Sequence, residues 1–539
     1  MKKKWKVSMA AAICMTLLAA GCSGNGEDAG KTTDPGGAES QPNMNAAGFP
    51  IVMDQIKLTF MAGQAPTTNP DWNNVRLFNE YEQMTNIDIE WQMVPAAGLK
   101  EKFNLVMASR DYPDAFHTAR LTASDLTKHG QEGSFIKLDD LIDKHAPNFK
   151  KLLDANPALR KGITMPDGHI YSFPTYYDPN FTYLLVSSPL WLNKTWLDKL
   201  GMAPPDTTDK FYQYLQAVKT TDLNGNGKND EIPYAGIKPD NLINHLKGAW
   251  GLTNRGRLHA YVDIDPQSDK LRFVPTDPKY KEMLEYIHKL YKEGLINQDI
   301  FTVQNNEFYA KGSEGIYGSS IITSMETLMK LTNYIGAPAL EGPHGDRVFS
   351  FIGSSLASPG AFVITDKNKH PAETVRWIDY FYGDEGNLKF FMGWKDDTYE
   401  EQPDGSVQYS QKMVNSPDGK TLEQIVAQSL TWPGGSYPGI VKEKTFKAAL
   451  PSMIAATETV KPYLPEEVWP AFIYTLEEND QMTQLHNDID IYVKETQAKF
   501  ITGSMSFAEW DKYVEQFMKM GLDEYMNIYN AAYERYKKG

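Results

Sequence analysis

The chain has 539 residues, 41% of them hydrophobic and 12% aromatic, enough to bury a large core and to suggest two or more domains. A formal net charge of −15 argues against nucleic acid or an anionic lipid surface as partner. The two cysteines are Cys14 and Cys22. Because Cys14 lies in an N-terminal leader, no disulfide is expected in the folded body.

The leader carries Lys2, Lys3, Lys4 and Lys6, followed by an apolar stretch from Val7 to Ala20. That stretch is too short to span a hydrocarbon layer of about 30 Å. Basic leader, short apolar core and small residues predict a secretory signal over residues 1–21. Its end, Leu18-Ala19-Ala20-Gly21-Cys22, resembles the lipobox of bacterial lipoprotein signal peptides, with Ala19 where Leu is usual. The resemblance implies acylation, such as by palmitate, of Cys22 and a chain held at the extracellular face of the cell membrane by lipid alone. Residues 22–50 are rich in Gly, Ser, Thr, Asn, Asp and Pro and read as a flexible tether. No later segment is apolar enough to cross a membrane.

The body opens with an alternating run, Ile56-Lys57-Leu58-Thr59-Phe60, which predicts a strand. Trp72 to Met84 has helical spacing through Val75, Phe78 and Tyr81, and Ile87 to Trp91 predicts a second strand. Strand, helix, strand at this spacing is a βαβ unit, hence an α/β fold with a parallel sheet. Farther on, Asp277-Pro278 starts a helix that Gly294 stops. Ser506 and Glu509 fit a capping box ahead of Trp510, and Gly521 separates that helix from another reaching Lys538.

The sharpest local signal is Asp222-Leu-Asn224-Gly-Asn226-Gly227-Lys228-Asn229-Asp230-Glu231-Ile-Pro233. Oxygen side chains at positions 1, 3, 5 and 9, with Gly at position 6, curl a loop so that alternate oxygens converge on one cation, and hard oxygen ligands suit Ca²⁺. Pro233 stands where an EF-hand loop has its bidentate Glu, so Glu231 is the natural substitute, and the Lys228 carbonyl could supply position 7. The alternative is a metal-free turn rich in Asn and Gly.

Several ordered segments share one resemblance. They are Trp196-Leu-Asp-Lys-Leu-Gly-Met202, Pro204-Pro-Asp-Thr207, the Asp222 loop, Ile364-Thr-Asp366, His370-Pro-Ala-Glu373, Lys499-Phe-Ile-Thr-Gly503 and Ala531-Ala-Tyr-Glu-Arg-Tyr536. Together they resemble the extracellular solute-binding lipoproteins of Gram-positive sugar ABC importers, in the subgroup that includes alginate-oligosaccharide-binding proteins. The resemblance implies a two-lobe periplasmic-binding-protein-like fold of type II, each lobe a β-sheet flanked by helices, with the ligand cleft between them. The expected lobes interleave: 51–180 with 345–420, and 181–344 with 421–539. It also implies structural Ca²⁺ held by Asp222, Asn224, Asn226, the Lys228 carbonyl, Asp230 and Glu231. The expected partners are an oligosaccharide and the permease subunits of an ABC transporter, served by a monomer.

Sugars pack C–H faces on aromatic rings and need polar partners for their hydroxyls. Aromatics next to Gly/Pro-rich stretches are therefore cleft candidates: Trp72, Tyr176, Tyr177, Trp250, Tyr317 and Trp432, each of which could instead be a buried packing residue. Arg120, at a strand-to-loop exit, could bind a hydroxyl or a uronate carboxylate, or form a surface ion pair. There is no Gly-x-Ser-x-Gly elbow, no His-Glu-x-x-His helix and no complete phosphate loop, so an enzyme is not expected. The competing readings are the same fold serving peptide capture or membrane signalling, and a secreted carbohydrate-active enzyme.

Overall fold

The computed structural model describes residues 43–66, 68–403, 405–415, 418–420, 422–430, 437–445 and 451–538; Cys22 and Trp432 lie outside them. Among the described residues the strands, in chain order, are β1 Ile56–Gln64, β2 Ile87–Pro95, β3 Ala115–Leu121, β4 Ser172–Tyr177, β5 Leu190–Asn193, β6 Ile232–Ala235, β7 Val262–Asp265, β8 Lys270–Phe273, β9 Tyr317–Ile321, β10 Tyr334–Gly336, β11 Leu356–Ile364, β12 Tyr399–Glu401, β13 Val407–Tyr409 and β14 Gly439–Val441.

Alternation builds β1: Ile56, Leu58 and Phe60 are buried while Lys57 is exposed. It pairs in parallel with β2, from Ile56↔Ile87 to Gln64↔Pro95. The helix predicted from Trp72 to Met84 is split. Val75 takes an extended conformation (φ −93°, ψ 129°), leaving a 3₁₀ turn at Trp72–Asn74 and a helix at Arg76–Thr85. The Asp71 side chain accepts from the Asn73 N–H and so ties up the turn locally, a use of Asp that competes with helix propagation.

Two sheets organise the body. The larger runs β14-β4-β11-β3-β1-β2, the smaller β10-β5-β9-β6. In the larger sheet β11 alone is antiparallel to its neighbours, β3 and β4. In the smaller sheet β5 is antiparallel to β9 and β10, and β6 is parallel to β9. The chain passes from the first sheet to the second between β4 and β5, back between β10 and β11, and after β14 supplies helices to the core of the second lobe. Pairing moves the expected boundaries. β14 hydrogen-bonds β4 (Ile440↔Tyr176), so residues 439–441 belong to the first sheet, whereas the sequence reading gave 421–539 to the second lobe. Phe349, Phe351 and Ile352 pack in the core of the second lobe, so 349–352 goes with that lobe, and the chain rejoins the first sheet at Ser355, whose carbonyl accepts from Tyr177 N–H (2.7 Å).

The first lobe is centred on Phe60, Phe78, Trp91 and Trp377. His117 is enclosed among them, with ring centroids 5.7 Å from Trp72, 5.2 Å from Trp91 and 5.9 Å from Phe362. Burial pushes its imidazole down to about 3, and its Nδ1 has no hydrogen-bond partner. Asp379 joins two helices of this lobe: its carboxylate accepts from Asn148 N–H (3.2 Å), Phe149 N–H (2.8 Å) and the Asn148 amide (2.9 Å) at the start of helix Pro147–Ala155. The second lobe is more helical. Helices Pro278–Lys292, Leu476–Thr502 and Leu522–Lys538 pack through Tyr280, Leu284, Val493, Phe500 and Tyr525. The Ser506–Glu509 capping box forms as expected, and Gly294 follows the helix Pro278–Lys292 at φ +64°, where a side chain would be strained.

Candidate functional site

Parallel strands place their carboxyl ends along one edge. Gln64, Pro95, Leu121, Tyr177 and Val441 end at the same edge of the first sheet, and β11 enters there after its crossover. Ala235, Ile321 and Gly336 end at one edge of the second sheet, where β5 begins. The two crossovers that link β4 to β5 and β10 to β11 run between these edges and are cross-tied. Arg257 donates to Ser187 Oγ, its N–H donates to Ile352 O (2.9 Å), and the Gly353 N–H donates to Leu185 O (3.0 Å). Carboxyl ends of open α/β sheets are where ligands bind, so this junction is the candidate site.

Three aromatic and charged groups mark it. Tyr177, half-buried, packs against the cores of both lobes. Tyr183, on the first crossover, does the same, although no local sequence signal distinguishes it from other tyrosines. Arg120 is exposed, with no side-chain hydrogen bond or ion pair among the described residues, so the expected surface ion pair is not formed. The backbone beneath it is unusual. Thr118 and Arg120 have φ of +49° and +54°, a region that L-residues other than Asn and Asp enter at a cost of about 1–3 kcal/mol each. Thr118 is held there by Gly63: the Gly63 N–H donates to Thr118 Oγ1 (3.0 Å), and Thr118 Oγ1 donates to Gly63 O (3.3 Å). A Cβ at Gly63 would lie 3.0 Å from the Thr118 carbonyl oxygen, so glycine permits this close approach.

The other cleft candidates are placed in the cores. Trp72 is 1% exposed and its ring lies 5.1 Å from that of Trp91. Trp250 is 3% exposed against Tyr286, and Tyr317 is 2% exposed, its hydroxyl donating to Phe308 O. A turn-flanking Gly or Pro marks where the backbone bends. It does not report which way the neighbouring ring turns, and these rings turn inward. Tyr176 is nearly buried and donates to Asn156 Oδ1 (3.0 Å) beside a crevice lined by Leu152, Asp178, Asn180 and Lys442.

The Asp222 loop follows helix Thr208–Thr220 and precedes β6, an edge strand that tolerates Pro233. Gly225 and Gly227 adopt φ of +77° and +79°. Asp222 Oδ1 accepts from the N–H groups of Gly225 (2.7 Å) and Asn226 (3.1 Å), and Oδ2 accepts from Gly227 (2.8 Å). Glu231 Oε1 accepts from Leu223 and Asn224 N–H (2.7 and 2.9 Å), while its buried Oε2 has no partner. The amides of Asn224 and Asn226 donate to Asp230, holding its carboxyl below the usual range. In this arrangement no three His, Cys, Asp or Glu side chains converge as metal ligands among the described residues. A cation would need the two amides rotated so that oxygen faces inward. That exchange is nearly isosteric, and it would give Glu231 Oε2 a charge partner.

Residues 75–388 match the family described as Bacterial extracellular solute-binding protein. The fructooligosaccharide ABC transporter substrate-binding protein FusA of Streptococcus pneumoniae is 30% identical over 512 residues, covering 92% of this chain and 94% of that protein. Lipoprotein LipO of Bacillus subtilis is 25% identical over 563 residues, covering 100% of this chain and 99% of LipO. FusA in complex with kestose superposes with a TM-score of 0.70 at 27% identity over 90% of this chain and 100% of that one. An EF-hand mutant of FusA with fructo-nystose gives 0.69 at 27% identity over the same shares. With the two-sheet body and the match to more than half its length, the chain belongs to the bacterial extracellular solute-binding protein family.

Proposed function

We propose that this protein, held at the outer face of the cell membrane by lipid on Cys22, captures an oligosaccharide at the junction of its lobes and delivers it to the permease of an ABC importer. The observation that carries the reading is the full-length similarity to FusA, a fructooligosaccharide ABC transporter substrate-binding protein. The placement of Tyr177 and Tyr183 between the two cores supports it, since such rings offer faces to a sugar. Ligand touching both lobes favours the closed form, because only that form makes both sets of contacts. An anchor of two or more acyl chains would keep the loaded protein near its permease, raising the effective concentration. The Asp222 loop would bind Ca²⁺ in a structural role, supported by the partnerless Glu231 Oε2 and by the EF-hand named for FusA.

The test is a panel of oligosaccharides and peptides, read by thermal shift and by product analysis. Stabilisation by glycans without turnover is expected, with a smaller ligand-induced shift for Tyr177→Ala than for wild type when each is measured from its own unliganded melting temperature. Stabilisation by peptides alone, or appearance of cleaved products, would replace this reading with peptide capture or with a carbohydrate-active enzyme.

A further inference from the structure

The sequence reading assigns residues 22–50 to a tether, yet residues 43–50 belong to the body. From Asn43 the chain folds back on itself: Met44 bridges Val52 in antiparallel fashion, and Asn45 N–H donates to Ile51 O (2.9 Å). The returning arm is core. Ile51 and Val52 are 1% and 0% exposed, and their N–H groups donate to Thr85 O (3.0 and 3.3 Å). At the open end Asp54 N–H donates to Asn43 Oδ1 (2.7 Å), and the Asn43 amide donates to Asp54 O (2.9 Å). The outgoing arm and the turn are held from outside. Arg376, on helix Pro371–Asp379, donates to Asn45 O and to Gly48 O (2.8 Å). The Phe49 ring meets those of Tyr380 and Tyr81 edge-on, with centroids 5.6 and 6.3 Å apart.

These contacts fix where the chain enters the body. Thr85 and Asn86 immediately precede β2, whose Ile87 pairs with Ile56 at the start of β1, so the hairpin sits at the amino end of the first sheet. The junction of the lobes lies at the carboxyl ends, Gln64 and Pro95, about 26 Å away along β1 at about 3.3 Å per residue. Handing a ligand to a permease brings the junction to the membrane and leaves the hairpin at least that far above it. Ser23 to Pro42 separate Cys22 from the hairpin, and these roughly twenty residues reach at most about 66 Å, enough to run that height.

We infer that the 43–54 hairpin is an anchor clasp, closed by Arg376 and Phe49, which joins the lipid-bearing segment to the pole of the first lobe opposite the ligand junction, so that delivery requires a segment between Cys22 and Asn43 long enough to run the height of the first sheet. This rests on the lipid-anchored importer reading above and adds to it a length requirement and the residues that set it.

The experiment measures cellular uptake of radiolabelled kestose or, if kestose leaves wild type unshifted, of the glycan that stabilises wild type most in the panel above. Deleting Glu27–Ser40 leaves about six residues, which reach at most about 20 Å. Uptake should fall about tenfold or more while glycan affinity and membrane retention stay at wild type, because a linker that cannot span two sites supplies no effective concentration. Reinserting a Gly/Ser segment of the deleted length should restore uptake. Arg376→Ala with Phe49→Ala, in the deletion background, should restore it too, because freeing residues 43–50 adds a reach of about 26 Å. Amide exchange across 43–50 should be faster in that variant, and its glycan affinity separates release of the clasp from unfolding. Wild-type uptake by the deletion would overturn the inference. So would failure of the Gly/Ser segment to rescue, rescue by that segment but not by releasing the clasp, or unchanged exchange across 43–50. Undiminished uptake by Cys22→Ser would overturn the anchoring reading itself, and no glycan binding in the panel would overturn the importer reading.

Discussion

His117 offers a direct test of the first-lobe core. Its imidazole is enclosed by Trp72, Trp91, Phe362 and Trp377, and burial lowers it from the ordinary 6.5 to about 3. The folded state therefore keeps it neutral where the unfolded chain protonates it. Between those two values the unfolded state binds more protons, so stability falls as pH falls from 6.5 toward 3. At about pH 5 the unfolded group lies about 1.5 units below its midpoint, and at about 1.4 kcal/mol per unit this residue alone contributes about 2 kcal/mol of acid destabilisation. His245 and His259, both pushed down to about 4 by burial, add the same trend from the second lobe. Replacing His117 by Phe removes one titration and leaves the others. Near neutral pH the variant should lie within about 1 kcal/mol of wild type, because relief of the partnerless Nδ1 offsets mild overpacking. Urea unfolding followed by tryptophan fluorescence reports on this lobe, since three tryptophans surround the site. Between about pH 7.5 and about pH 5, His117→Phe should lose about 2 kcal/mol less than wild type. An equal loss in both proteins would refute the account of a neutral, dry imidazole.

Two further outcomes test other parts of the molecule. Removing calcium with a chelator should lower the melting temperature by about 5 °C, and Glu231→Gln should abolish the difference; no shift, with no metal in the purified protein, would dispose of the cation site. Asp379→Ala strips a helix start of three hydrogen bonds and should cost about 2–4 kcal/mol in chemical denaturation. Burial pushes the Asp379 carboxyl up to about 6, above its unfolded value, so its contribution is largest in acid and shrinks as pH rises through 6. The gap between Asp379→Ala and wild type should therefore narrow as pH rises from 3.8 to about 6 and stay level above that.

Local chemistry carried much of the fold. Alternation in Ile56–Phe60, the Asp277-Pro278 helix start, the Ser506–Glu509 box and the Gly227 turn each act through contacts a few residues apart, so each is legible in the sequence. The same locality explains the split at Val75, where the Asp71 side chain outcompetes helical periodicity. Ring orientation was not legible. Trp72, Trp250 and Tyr317 sit beside turn-forming residues yet face inward, because the neighbours that claim them are remote in sequence, as Tyr286 is for Trp250. Tyr183 has no sequence mark at all and becomes notable only by lying between two cores.

The sequence by itself determined the periodicities, the caps and the oxygen-rich loop, since each depends on residues within a turn or two of one another, and the ordered segments from Trp196 to Tyr536 that resemble a solute-binding family, since these are read in order without any contact between them. Only the tertiary structure decided which strand ends meet, that β14 returns to the first sheet, and that a bulge opposite Ala361 leaves Arg120 exposed at the end of β3. Those outcomes are set by hydrogen-bond register between strands far apart in the chain, which local preference does not encode.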